Sequence, residues 1–130
     1  GAFLNGIPIA VSQEVSLERC LLATGFPYDI ETYLEPILAH LKRLLPLTQG
    51  IRRPGAAALD LAYVACLRYD GFYENALNAW DTAAGLLLVQ EAGGRVSEFD
   101  AITPYTFGAD AILATNGRIH DELSGLLCDR

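Results

Sequence analysis

Short apolar runs alternate with longer helix-like segments along this chain, and this alternation constrains the fold more than any other feature. The apolar runs predict strands at residues 7–11, 21–24, 49–52, 71–74, 95–99 and 111–114. The longer segments predict helices at 31–45, 56–68, 81–92 and 119–127. Such an alternation predicts the α/β class, a layered sheet with helices on its faces. It leaves the order of the strands open.

Residues that form turns or terminate helices support these predicted boundaries. Asn5-Gly6 is a hairpin-turn signal, Pro46 stops the helix predicted at 31–45, and Gly93-Gly94 closes the helix predicted at 81–92. Within the helix at 31–45, apolar residues recur at a spacing that suits a surface helix. These residues are Leu34, Leu38, Leu41 and Leu45.

Size and composition bound the class of protein. The chain has 130 residues, of which 52% are hydrophobic, so one domain with a buried core is expected. The formal net charge of −7 gives no electrostatic footprint for nucleic acid or for an anionic membrane. An acidic chain can still meet an anionic substrate where metal cations mediate the contact. No apolar run approaches the roughly 20 residues needed to span a bilayer.

The cysteines and histidines carry no metal-site pattern. Cys20, Cys66 and Cys128 are odd in number and far apart, which predicts no disulfide framework and no zinc site. They are predicted to be small buried hydrophobic residues in a protein of the reducing cytoplasm. His40 and His120 lie in predicted helices without ligand spacing and are predicted to be either surface residues or structural histidines with satisfied hydrogen bonds.

Two acidic residues are candidates for chemistry. Asp81 lies in the first turn of a predicted helix, where the helix dipole favours a carboxylate, and Glu74 ends a predicted strand. In α/β folds ligands bind at the carboxyl ends of strands, so the two carboxylates could converge on one crevice. The alternatives are an ordinary helix-start residue for Asp81 and a solvated loop acid for Glu74. Gly55-Ala56-Ala57 opens another helix without bulky side chains, which exposes backbone N–H groups to an anion or a hydroxyl.

Several segments together resemble the inositol monophosphatase family. The segment at 80–85, Trp-Asp-Thr-Ala-Ala-Gly, with Glu-Ala-Gly-Gly at 91–94, is similar to the C-terminal signature W-D-x-A-A-G then E-A-G-G. The segment at 52–65 is similar to R-R-x-G-S/T/A-A-A-L-D-L-A-Y-V-A, and the segment at 70–74 to D-G-F/Y-W/Y-E. The first six residues with Val11-Ser12 resemble the G-A-F-x-N-G…V-S segment at the family's domain junction. The resemblance implies the sugar-phosphatase (inositol monophosphatase-like) fold, of which residues 1–130 would be the C-terminal α/β domain.

The resemblance also implies roles for individual residues. Asp81 would be a magnesium ligand that lies against the substrate, and Glu74 would contact a substrate hydroxyl. Gly55, Ala56 and Ala57 would line the substrate pocket, although Ala56 lacks the hydroxyl that many relatives carry there. The implied cofactor is Mg²⁺, the implied substrate a small phosphorylated polyol such as inositol monophosphate, and the implied properties are lithium sensitivity and a homodimer.

One departure from the family pattern decides what this chain can do alone. No D-x-x-D-G-S/T motif is present, although family members use it for the other metal carboxylates and for phosphate binding. A single aspartate binds magnesium poorly and cannot support metal-assisted phosphoryl transfer. We therefore expect a fragment that begins in mid-protein at Gly1, lacks its N-terminal metal- and phosphate-binding domain, and is inactive alone.

Two alternatives remain open at this stage. The whole protein could act on another ester handled by relatives, namely fructose 1,6-bisphosphate, 3′-phosphoadenosine phosphate, NADP or histidinol phosphate. The chain could also be a stand-alone, non-catalytic binding or assembly domain, although the presence of both Glu74 and Asp81 argues against that.

Overall fold

The computed structural model describes all 130 residues and contains seven strands and four α-helices. The strands are β1 (Phe3–Leu4), β2 (Ile7–Pro8), β3 (Leu21–Thr24), β4 (Gly50–Arg52), β5 (Gly71–Asn75), β6 (Arg95–Ser97) and β7 (Ala111–Thr115). The helices are α1 (Ile30–Leu44), α2 (Ala57–Ala65), α3 (Ala79–Glu91) and α4 (His120–Leu127). Every predicted element is present. The helix α2 ends earlier than predicted, and Leu67, shortly after it, adopts a left-handed φ of 63°.

Five strands form one mixed sheet in the order β4-β3-β5-β7-β6. The strand β3 runs parallel to both β4 and β5, whereas β7 runs antiparallel to both β5 and β6. The strands β1 and β2 form a separate hairpin whose turn, Asn5-Gly6, has φ values of 52° and 79° as the sequence predicts. The three parallel strands therefore end at one edge of the sheet, next to one another.

Helices cover both faces of this sheet, which confirms the α/β prediction. On one face, residues of α2 and α3 such as Leu61 and Val89 pack with Phe72 of β5. On the other face, Leu44 of α1 and Leu123 of α4 pack with alternate strand residues. The chain thus forms three layers, helix–sheet–helix, with a core on each side of the sheet.

The buried face of α1 is not formed by the leucines at 34, 38, 41 and 45. Leu34 and Leu38 are 41% and 50% exposed, and the helix instead buries Ile37, His40 and Leu44, which recur at the same helical spacing. Nε2 of His40 lies 3.0 Å from the carbonyl oxygen of Leu127, at the end of α4. The helix is therefore rotated so that this polar contact and its apolar neighbours face the core.

Close contact between α2 and α3 depends on a glycine. A Cβ atom at Gly85 would lie 2.4 Å from Cβ of Leu61, so only glycine allows the two helices to approach this closely. Of the small residues at the start of α3, Gly85 thus packs against a helix, whereas Ala83 and Ala84 are exposed. This packing fixes the starts of α2 and α3 relative to each other.

Burial and hydrogen bonding describe the environment of the histidines and cysteines. His120 is fully buried, with Nε2 2.7 Å from Oγ of Ser97 and Nδ1 2.8 Å from Oγ1 of Thr115. All three cysteines are free, but only Cys20 is buried. Cys128 is exposed because it caps the C-terminal end of α4 near the end of the chain. No helix of this fold combines the length and the apolar character that crossing a membrane requires.

Candidate active site

A cleft opens at the edge where the three parallel strands end. Its volume is about 470 Å³, within the usual range for small-molecule sites. Gly25 follows β3, Arg53 follows β4 and Glu74 lies near the end of β5, and all three residues line the cleft. The first turns of α2 and α3 contribute Ala57 and Asp81. This location agrees with the rule that ligands bind beyond the carboxyl ends of parallel strands.

Asp81 lies at the third residue of α3 and is partly buried. Its Oδ2 accepts a hydrogen bond of 3.0 Å from the backbone N–H of Asn78, which caps the helix and fixes the side chain. Its other oxygen, Oδ1, accepts no hydrogen bond from the protein. Asp81 thus presents an immobilised carboxylate oxygen at a helix N-terminus on the wall of the cleft.

Glu74 lies on β5 and is only 8% exposed, although it lines the cleft. Burial first, and then the nearby acids Asp60 and Asp81, raise the pKa of this carboxyl to about 7, while Arg53 opposes the shift. No side chain or backbone group of the protein donates a hydrogen bond to it. An acceptor that lies on the cleft wall and has no donor within the protein is suited to a hydroxyl group brought by a ligand.

The start of α2 forms the third wall. Gly55 has a φ of +90° and, like Ala57, lines the cleft. Ala56, the N-cap residue, is exposed and does not line the cleft. The first backbone hydrogen bond of this helix runs from the N–H of Asp60 to the carbonyl of Ala56, so the preceding N–H groups of the first turn are free. Such a helix start can bind an anion or a hydroxyl.

The structure brings four of the five sequence candidates to one cleft and adds neighbours that the sequence analysis missed. Arg53 supplies a positive charge, and its guanidinium lies 5.2 Å from the ring centre of Phe26. Residues 25–28 form the loop after β3 that completes the lining. The position of this loop directly after a predicted strand was the available signal, because each parallel strand contributes its following loop to the same edge.

Three further aspartates, Asp60, Asp70 and Asp100, do not line the cleft. Asp70 accepts hydrogen bonds from Oγ of Ser12 and from the N–H of Leu21, and Asp100 accepts from the N–H groups of residues 102 and 103. Asp60 is 1% exposed and its Oδ1 has no hydrogen-bond partner. Burial raises the pKa of Asp60 to about 6.

The chain alone offers magnesium one suitable ligand. No group of three or more histidine, cysteine, aspartate or glutamate side chains is arranged to hold a metal ion. Magnesium, however, commonly uses only one or two protein carboxylates and completes its shell with waters and substrate phosphate. The free Oδ1 of Asp81, held at the cleft wall, fits one such position.

Comparison with known proteins agrees with this geometry. The family model described as "Inositol monophosphatase family" matches residues 1–129. An inositol-1-monophosphatase of Synechocystis sp. is 50% identical over 127 residues, which cover 98% of this chain and 44% of that protein. A Nus factor SuhB of Pseudomonas aeruginosa is 56% identical over 102 residues, which cover 76% of this chain and 37% of that protein.

Solved structures give the same result for the fold. The inositol monophosphatase of Anabaena (Nostoc) sp. superposes with a TM-score of 0.91 at 48% identity, covering 96% of this chain and 49% of that one. An inositol monophosphatase of Thermotoga maritima superposes with a TM-score of 0.84 at 37% identity, covering 98% and 47%. The chain therefore spans about half the length of the relatives that it matches. From its sequence motifs, its fold and these matches, the chain belongs to the inositol monophosphatase family.

Proposed function

We propose that this chain is the C-terminal part of a magnesium-dependent phosphomonoesterase that hydrolyses inositol monophosphate or a similar small phosphate ester. The observation that carries the proposal is the convergence of Glu74, Asp81 and the start of α2 on one cleft. These three features offer a cation ligand, a hydroxyl acceptor and free backbone donors within the space of one small molecule.

Each feature has a separate task in this proposal. Asp81 would hold one magnesium ion through Oδ1 while its Oδ2 stays bound to the N–H of Asn78. When bound, magnesium would make a coordinated water more acidic, and its positive charge would stabilise the phosphoryl group during transfer. Glu74 would accept a hydrogen bond from a substrate hydroxyl, and free N–H groups at the start of α2, beginning at Ala57, would orient the polyol.

The rest of the active site would come from an N-terminal domain that this chain does not contain. Support comes from the outer face of α3, where Trp80 is 80% and Leu87 is 59% exposed, next to exposed Ala83 and Ala84. Contiguous exposed apolar surface of this kind is typical of a covered interface. The missing domain would cover this face and bring the remaining metal ligands, so the chain alone would be inactive.

Three further properties belong to the same proposal. The free state of all three cysteines suits a reducing compartment such as the cytoplasm. The exposed Leu34 and Leu38 on α1 offer an apolar surface for a second copy of the protein, in keeping with a homodimer. Lithium sensitivity rests on the family resemblance alone.

The test uses the full-length protein and two matched substitutions. Asp81→Asn should abolish magnesium-dependent phosphate release from inositol 1-phosphate, because the amide cannot replace the charged ligand. Asp129→Asn removes a carboxylate that is 81% exposed near the end of the chain and should leave turnover unchanged. Unchanged turnover in Asp81→Asn would overturn the assignment of the metal ligand.

The same assay separates the other candidate functions. The full-length protein could instead release phosphate from only one of the alternative esters: fructose 1,6-bisphosphate, 3′-phosphoadenosine phosphate, NADP or histidinol phosphate. The protein would then still be a phosphatase, but the assigned substrate would change. Relatives at 46% and 56% identity carry the names putative Nus factor SuhB and Nus factor SuhB, and a non-catalytic binding or assembly role is the second candidate. If the full-length protein released no phosphate from any of these esters, we would propose that role instead.

A further inference from the structure

Gly25 and Glu74 are neighbours across two adjacent strands. The register pairs Thr24 of β3 with Tyr73 of β5. The residues that follow them, Gly25 and Glu74, therefore lie side by side at the edge of the sheet. A Cβ atom built on Gly25 would lie 2.1 Å from Oε1, 2.6 Å from Cδ and 2.9 Å from Oε2 of Glu74. The carboxylate of Glu74 therefore occupies the space that a side chain at position 25 would fill.

The nearest contacts of the added Cβ are all with Glu74. The three heavy atoms nearest to the added Cβ all belong to the Glu74 carboxylate, and no backbone atom is among them. The φ angle of Gly25 also lies outside the left-handed region, so an alanine there would meet no backbone strain. A substitution at Gly25 should thus leave the fold in place and act by displacing one side chain.

The position of the Glu74 carboxylate has little other support. Neither oxygen accepts a hydrogen bond from the protein, although the side chain is only 8% exposed. Two of the charged groups that act on it, Asp60 and Asp81, repel it, and only Arg53 attracts it. Steric contact with the backbone at Gly25 is therefore a principal constraint on where its oxygens lie.

We propose that Gly25 is a positioning residue, whose missing side chain sets the place of the Glu74 carboxylate and thereby the recognition of the substrate hydroxyl. The inference rests on the proposed function and deepens it, because it assigns the fit of the polyol to a pair of residues on two strands. A hydroxyl contact made by Glu74 is present before and during phosphoryl transfer, so its loss raises KM and leaves kcat nearly unchanged.

Enzyme kinetics on the full-length protein test this coupling. Gly25→Ala should raise KM for the phosphorylated polyol about 10- to 100-fold, the effect of losing one hydrogen bond to a charged acceptor, with kcat within about twofold. In a Glu74→Ala background the same change should have no further effect on KM, because nothing remains for the added methyl group to displace. Gly125→Ala is the control, since its Cβ would meet only the carbonyl oxygen of Arg130 at 3.9 Å.

Crystal structures of the same variants provide a readout that does not depend on activity. In Gly25→Ala the Glu74 carboxylate should move by about 1 Å or more while the backbone of β3 and β5 stays in place. The double variant Gly25→Ala/Glu74→Ala lacks the clash with the Glu74 carboxylate, so we expect it to fold even where the single variant fails to. Absence of turnover in the wild-type protein would count against the proposed function, and the structures would still decide the role of Gly25. An unmoved carboxylate, or an equal rise in KM in both backgrounds, would overturn the inference.

Discussion

Asp81 and Asn78 are joined by a hydrogen bond of 3.0 Å from the backbone N–H of Asn78 to Oδ2 of Asp81. The side chain that lines the cleft, with its Oδ1 free of hydrogen bonds from the protein, therefore also caps α3. Its structural and its chemical contributions can be separated, because an amide oxygen can accept the capping hydrogen bond but does not replace a carboxylate as a magnesium ligand.

The first prediction compares two substitutions at this position by unfolding. Asp81→Ala removes the cap and should lower the free energy of unfolding by about 1 kcal/mol. Asp81→Asn keeps an acceptor near the N–H of Asn78 and should stay within about 0.5 kcal/mol of the wild-type protein. Urea denaturation of the metal-free full-length protein measures both. Equal destabilisation by the two variants would show that the cap needs the charge.

The second prediction concerns the pH dependence of stability that arises at Asp60. Its folded-state pKa of about 6 lies above the ordinary value of 3.8, so the folded protein binds the proton more tightly than the unfolded chain. The stabilising contribution of the protonated form is therefore complete below about pH 3.8 and is lost as the pH rises through about 6. Asp60→Asn should remove this loss, which makes the variant more stable than the wild-type protein at pH 8 by on the order of 2 kcal/mol.

Denaturation of both proteins at pH 4 and pH 8 checks this sign. The difference between variant and wild-type protein should be much smaller at pH 4, where Asp60 is largely protonated in the folded state. A variant that is less stable than the wild-type protein at pH 8 would mean that the Asp60 carboxylate, despite its unpartnered Oδ1, is held by a favourable contact.

The third prediction uses Trp80 as a reporter of domain association. It is the only tryptophan of this chain and is 80% exposed on the outer face of α3. The separate 130-residue chain should therefore emit as a solvated indole. Addition of the remaining half of the polypeptide, made without tryptophan, should shift the emission to shorter wavelength as that half covers the face.

A matched variant locates this effect. Leu87→Asp places a charge on the same exposed face and should prevent the shift, whereas the change Leu47→Asp, at an exposed position outside α3, should not. A full spectral shift in Leu87→Asp would show that the other half binds elsewhere.

The sequence was sufficient to predict the four helices and six of the seven strands, because each of these has its own local signal, whereas the short strand β1 was not predicted. The clearest cases are the Asn5-Gly6 turn and the glycine pair that ends α3. The convergence of Glu74 with Asp81 also followed, because a strand end and a helix start meet at one edge in α/β folds.

Features set by tertiary contacts could not be predicted in this way. Two stripes of α1 have the same spacing, and only the packing of Ile37 and His40 against the core selects one of them. The contact between Gly25 and Glu74 depends on the parallel pairing of β3 with β5, and the strand order does not follow from one sequence. The position of Arg53 at the cleft likewise depends on the strand order, because Arg53 follows the end of β4.

Magnesium-dependent phosphate release from inositol 1-phosphate tests the central claim most directly. The assay compares the full-length protein with this 130-residue chain at equal concentration. We predict turnover by the full-length protein and none by the chain, because Asp81 is the one metal ligand that we propose in the chain and no group of three or more candidate ligands is arranged to hold metal. Turnover by the chain alone would contradict the account, since the essential carboxylates would then have to lie within these 130 residues.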